Sequence, residues 1–107
     1  SKLGAGTSIA PHTGWEDLAN HVLRAHLCIY APPSGVNGLV VDGEVRHHST
    51  GNIIVFDDSL IHSAFNEADE DRIVLIVDLL RPPGCPEGVA VGGHTAELDA
   101  LLSSAFA

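Results

Sequence analysis

His12, in "APHTG", and His62, in "FDDSLIHSAFN", are two of seven histidines, and imidazoles from such distant segments could hold a metal if the fold brought them together. A neutral imidazole is a good ligand for iron and its neighbours in the first transition row. His62 also lies among apolar residues, where each ring nitrogen needs a partner. Taken singly, His12 reads more simply as a surface turn residue and His62 as a satisfied core histidine. Brought together from distant segments across a β-sandwich, the two would make a ligand pair for iron. Asp57 and Asp58, directly after the apolar run "NIIVF", would then orient the rings or cap the turn. Arg24 and His26, in "LRAHLCIY", point to one face of a strand because side chains alternate with a period of two. Arg72 opens "RIVLIVDLL", and a guanidinium inside a barrel requires an anion. If these groups converge, they select an anionic small molecule; the alternative is that Arg24 and Arg72 pair with surface carboxylates.

The elements that would position these groups are mostly strands. "LRAHLCIY" ends at Ala31-Pro32-Pro33-Ser34-Gly35, and "GLVVDGEVRHH" reads as a hairpin turning at Asp42-Gly43, where Gly accepts positive φ. "NIIVFDD" and "RIVLIVDLL" have the continuous apolar character of strands covered on both faces, and "LIHSAFN" reads as another strand. "NEADED" is a solvated loop, and Pro82-Pro83 ends the last strand. With five or six short strands and no alternation with helices, the chain reads as an all-β sandwich or barrel. Leu98, Leu101, Leu102, Ala105 and Phe106 recur at helical spacing after Thr95, an available N-cap, which predicts a short amphipathic helix over 95–106.

The chain has 107 residues, enough for one domain with its own core. Five Lys and Arg stand against 14 Asp and Glu, a formal charge of −9, which disfavours nucleic acid and anionic lipid surfaces as partners. No apolar run is long enough to span a membrane and no leader opens the chain, so a cytoplasmic location is expected, although an upstream anchor or leader is compatible with a chain that starts at Ser1. Cys28 and Cys85 have no redox or zinc spacing and are expected to be free thiols.

The strings "SKLGAGTSIAPHTG", "LRAHLCIY", "GEVRHHSTGNIIVFDDSLIHSAFN" and "DRIVLIVDLLRP" together resemble the aspartyl/asparaginyl β-hydroxylase family of iron(II)- and 2-oxoglutarate-dependent dioxygenases. The resemblance covers residues 1 to about 82. It implies a double-stranded β-helix, or jelly roll, as the fold of a single domain over 1–107 that lacks upstream strands. It further implies that His12 and His62 bind Fe(2+), and that Arg72, helped by Ser1, grips the distal carboxylate of 2-oxoglutarate. Arg24 and His26 would line the co-substrate pocket. The implied activity uses O2 and 2-oxoglutarate to hydroxylate a carbon of an Asp or Asn residue in a peptide, or of a small acidic substrate.

Several positions depart from the family pattern. "HLGL" is "HLCI" here, His48 stands where Trp is common, and "HTG" runs into a longer segment, "WEDLANHV". Gly14 occupies the place, two residues after the first His, where most enzymes of this chemistry carry a carboxylate. The rival from another class is a non-catalytic jelly-roll module, degenerate or truncated, that binds a metal or an anion without turnover.

Overall fold

The computed structural model describes residues 1–33 and 36–92, so the helix expected over 95–106 lies outside the described residues. The elements in chain order are β1 (Lys2–Leu3), β2 (Thr7–His12), the single turn of helix α1 (Glu16–Ala19), β3 (Val22–Tyr30), β4 (Asn37–Val41), β5 (Glu44–His47), β6 (Ile53–Phe56), β7 (His62–Asn66) and β8 (Arg72–Leu80). They form two four-stranded sheets with the orders β1-β8-β3-β6 and β2-β7-β4-β5. All pairings are antiparallel. Only β4 and β5 are chain neighbours within one sheet. Every other connection between successive strands carries the chain from one sheet to the other, so the all-β expectation holds.

The β4–β5 hairpin turns where expected, with φ of 48° at Asp42 and 80° at Gly43. Positive φ at both central residues matches the right-handed twist of the flanking strands. Three elements were not anticipated: β1, β2 and α1. β1 has two residues and is held at its open end by backbone bonds between Ser1 and Val74, which no propensity encodes. α1 has no side-chain cap at Trp15. It is pinned instead by the Glu16 amide donating to the Gly92 carbonyl at 3.1 Å.

The core is small. Leu3, Leu39, Phe56 and Ala64 meet between the sheets, with Val41 and Ile54 packed against them, and Cys28, Ala31 and Val74 form a second cluster. Both cysteines are free. The apolar runs of β6 and β8, read as covered on both faces, are covered on one. Ile54 faces the core while Ile53 and Val55 are exposed, as are Ile73, Leu75, Val77 and Leu79 along β8. Among the described residues nothing lies over that outer face, so a continuous apolar run marks a strand here without marking two covered faces. No helix among the described residues is long and apolar enough to cross a membrane.

Asn66, fully buried at the end of β7, joins the two sheets at one end. Its amide donates to the carbonyls of Leu3 at 3.1 Å and Glu70 at 2.8 Å, and its Oδ1 accepts from the Ala68 amide at 3.1 Å. Removing the side chain strands three backbone groups in a place without water. Asn66→Ala should lower the unfolding free energy by about 2–4 kcal/mol, and Asn66→Asp, which turns two donors into acceptors facing carbonyls, by at least as much. Urea unfolding checks this, and a change below about 0.5 kcal/mol would show that the network is dispensable.

Candidate functional site

The pairing of β2 with β7 sets His12 against His62. Ile9 pairs with Ala64 and His12 with His62, so β2 spends one more residue than β7 over this interval. The extra residue makes a bulge over Ala10-Pro11, where the missing N–H of Pro11 costs no ladder bond. In an unbroken strand, residues three apart point to opposite faces. Here Ile9 and His12, both exposed, line the same half-open cavity, of about 100 Å³, together with the buried His62. The ring centroids of His12 and His62 are 4.4 Å apart. Each ring bonds through Nδ1 to the carbonyl two residues back, His12 to Ala10 and His62 to Leu60, both at 2.8 Å. A carbonyl only accepts, so in the neutral ring the proton sits on Nδ1 and the Nε2 lone pair is left for other work.

The two aspartates divide sharply. Asp57 closes the turn after β6: its Oδ1 accepts from the Ser59 amide at 3.0 Å and the Ser59 hydroxyl at 2.6 Å, and its carboxylate pairs with Arg81. Burial alone would raise the Asp57 carboxyl. The bonds from Ser59 and Arg81 outweigh that and hold it below the usual carboxylate range. Asp58 turns inward, 2% exposed, with Oδ1 3.2 Å from His62 Nε2 and 3.5 Å from Arg24 Nη1. Burial pushes its carboxyl up, against the pull of Arg24 and His62. A lone pair on Nε2 facing a carboxylate oxygen at this distance is repulsive unless a proton or a cation accompanies them. The carboxylate also occupies the space beside Gly14, where an added Cβ would stand 2.1 Å from Asp58 Oδ2. Among the described residues, no three His, Cys, Asp or Glu side chains form a ready-made metal cage. The arrangement is a histidine pair with one neighbouring carboxylate.

The cations fare differently from each other. Arg24 pairs across the sheet with Asp78 through two bonds, Nε to Oδ1 at 2.8 Å and Nη2 to Oδ2 at 3.1 Å, while still lining the cavity. Arg72 is 2% exposed, and its Nε and Nη1 have no partner. Burial lowers its pKa. Ser1 lines the same cavity, without a hydrogen bond to Arg72 in this structure. His26 shares the inward face with Arg24, as alternation required, and Ala25 and Leu27 face the other way. Its ring meets Phe56 edge-on, and Phe56 in turn packs on His62.

Ser1, His12, Arg24, His26, His62 and Arg72 therefore converge on one cavity. The residues not anticipated are those behind it. His48, buried beyond the end of β5, sits 3.3 Å from His26, Nε2 to Nδ1, and Asn37 is buried with both side-chain polar atoms unpartnered. The replacement of a common Trp by His48 was the one sequence signal for the first. Nothing in the spacing signalled the second.

Burial first, and then the charges of its cationic neighbours, push His26 down to about 3 and His48 down to about 4. Both rings are therefore neutral in the folded protein at pH values where the unfolded chain, with ordinary imidazoles near 6.5, takes up protons. Stability should be full above about pH 6.5 and fall as the pH drops toward 4, at up to about 1.4 kcal/mol per pH unit for each ring. His48→Phe should roughly halve that slope. Urea midpoints at pH 7 and pH 5 measure it, and equal midpoints would mean the rings are not held neutral.

Residues 1–82 match the aspartyl/asparaginyl beta-hydroxylase family. The chain is 40% identical over 68 residues to an ornithine lipid ester-linked acyl 2-hydroxylase of Rhizobium tropici, covering 63% of this chain and 24% of that protein. It is 34% identical over 87 residues to the mouse aspartyl/asparaginyl beta-hydroxylase, covering 81% and 11%, and 39% identical over 87 residues to human aspartate beta-hydroxylase domain-containing protein 2, covering 77% and 22%. It thus spans a quarter or less of the length of these relatives. With the match running through both histidines and Arg72, this chain belongs to the aspartyl/asparaginyl β-hydroxylase family of hydroxylases.

Proposed function

We propose that the chain is the jelly-roll core of an iron(II)- and 2-oxoglutarate-dependent hydroxylase. The observation that carries this reading is Arg72: a guanidinium buried without a counter-charge among the described residues, in the cavity that the histidine pair also lines. An unpaired buried charge costs several kcal/mol, so the site favours an anionic occupant, and a planar two-pronged donor favours a carboxylate. Support for the fold comes from the two sheet orders, which alternate strands between the sheets as a double-stranded β-helix does.

His12 and His62 would hold the iron through their Nε2 atoms, which the Nδ1 bonds to Ala10 and Leu60 leave available as lone pairs in the neutral rings, with a cation between His62 Nε2 and Asp58 relieving their close approach. Asp58 would act beside the ion rather than as a third ligand, supplying negative charge where Gly14 brings none. When bound, iron with 2-oxoglutarate and O2 supplies the oxidising power to place a hydroxyl on a C–H carbon, releasing succinate and CO2. The chain's own residues do the rest. Arg72, with Ser1 at the cavity wall, would anchor the distal carboxylate of 2-oxoglutarate, and Arg24 and His26 would line its path. Phe56, packed on both His26 and His62, keeps water from the rings. The substrate we assign is a carbon of an Asp or Asn residue in a peptide, or of a small acid.

Arg72→Lys keeps a charge but loses the fork, and should raise the Michaelis constant for 2-oxoglutarate about tenfold or more. His12→Ala and His62→Ala should each abolish iron retention, whereas Asp58→Asn should weaken it by roughly 10–100-fold. Succinate release and iron content after desalting report the two effects. Iron retention that survives His62→Ala and disappears in Asp58→Asn would move the ligand role to the carboxylate. A protein that keeps iron but never converts 2-oxoglutarate would leave a binding module.

A further inference from the structure

We propose that His48 is a positioning residue: its Nε2–H donates to His26 Nδ1, which fixes His26 in the tautomer that presents an N–H to an anion in the cavity. The inference rests on the reading of that cavity as a carboxylate site and adds a residue acting from behind it.

Geometry leaves two arrangements for the buried pair. The rings lie side by side and nearly coplanar, with centroids 5.6 Å apart and planes at 21°, and the short contact is His26 Nδ1 to His48 Nε2 at 3.3 Å. Both nitrogens cannot be bare at that separation, so one proton lies between them. If His26 donates, His48 must carry its only proton on Nε2's acceptor-free opposite side, Nδ1, and Nδ1 is buried without a partner. That leaves an orphaned N–H, the rarer and costlier kind of unsatisfied group. If His48 donates, its Nδ1 is only an unused lone pair, and the unpartnered N–H falls instead on His26 Nε2, on a ring that lines the cavity and at an atom that is not among the fully buried unpartnered ones.

The second arrangement has a consequence inside the cavity. His26 Nε2 then bears the proton, and among the described residues it has no hydrogen-bond partner, while the ring lines the cavity with Arg72 and Arg24. An anion there would meet an N–H donor beside two guanidinium groups. In the opposite tautomer it would meet a lone pair. Neutrality of both rings, which burial enforces, is what makes the choice one of tautomer and not of charge. The His48 backbone is held in place by its amide, which donates to the Asn37 carbonyl at 3.4 Å.

The test uses the ¹⁵N-labelled chain without metal, in which long-range ¹H–¹⁵N spectra at pH 7.5 assign each histidine tautomer. In the unaltered protein, His26 should carry its proton on Nε2. His48→Phe, which keeps a ring but no donor, should shift His26 toward a mixture, and His48→Gln, whose amide can donate from nearly the same place, should restore it. Adding 2-oxoglutarate to the zinc-loaded protein should then show about tenfold weaker binding in His48→Phe, with zinc affinity unchanged, and recovery in His48→Gln. A proton on Nδ1 of His26 in the unaltered protein overturns the proposal, as does a tautomer unmoved in His48→Phe or a Gln variant that behaves like Phe. Should the unaltered protein bind no 2-oxoglutarate at all, the co-substrate reading falls, while the metal-free spectra still decide the role of His48. If His48→Phe does not fold, the unaltered protein and His48→Gln give the same decision.

Discussion

The structure is organised around a guanidinium that the protein buries and does not neutralise. Arg72 starts β8, the strand that pairs with both β1 and β3, so its position is set by two sets of ladder bonds. From there its charge helps to keep His26 and His48 unprotonated. Burying a cation beside imidazoles is unfavourable in isolation, and a protein that needed only stability would replace the group with an aliphatic side chain of similar volume. On the proposed reading an anion entering the cavity would offset that cost, so the unpaired charge would be part of binding.

The second constraint is one extra residue in β2. Without the bulge between Ile9 and His12, His12 would fall on the opposite face from Ile9 and away from the ring it now meets. Bulges re-aim side chains at the cost of a ladder bond, and Pro11, which has no amide proton to lose, reduces that cost. The short backbone bonds at Nδ1 then do for each ring what a dedicated side-chain partner does in other histidine sites. They hold the orientation and choose the tautomer. The shared i to i−2 geometry means both histidines are organised by their own local chain, His12 within β2 and His62 by the turn that leads into β7, before any ligand arrives.

Much of this was legible in the sequence, for identifiable reasons. Alternation in "LRAHLCIY" correctly placed Arg24 and His26 on one face, the Asp-Gly turn fell where positive φ was needed, and β8 was bounded by Arg72 and the paired prolines. These are local signals. What was not legible depends on pairing between distant segments: the two-residue β1, the bulge in β2, and the contact of His48 with His26. Continuous apolar runs overstated burial, since hydrophobicity marks β6 and β8 as strands without saying whether a second layer covers them. The aspartates show the same limit. Side by side in sequence, one caps a turn and the other enters the site, because consecutive residues at a strand end point to opposite sides.

The polar interior also explains why the hydrophobic core is so modest. Arg72, His26, His48, His62, Asp58, Asn37 and Asn66 are all buried, and they take interior volume that Leu or Ile would fill in a protein built for stability alone. Some of these, such as Asn66, are fully satisfied and act as struts between the sheets. Others, Arg72, Asn37 and Asp58, keep unpartnered atoms. The division follows position: the satisfied asparagine ties a strand end to its turn, while Arg72 and Asp58 stand beside the two cavities that His12 borders. Part of the unsatisfied polarity, that of Arg72 and Asp58, therefore lies where a ligand can complete it, while Asn37, His48 and Arg81 keep unpartnered atoms away from those cavities. A net charge of −9 adds a further selection, since an anion must pass an acidic exterior before it meets the cationic interior. On the proposed reading of the cavity, long-range attraction would contribute little to capture of a carboxylate, and its affinity would have to come from the short, directional bonds that Arg72 and the cavity histidines can offer at contact.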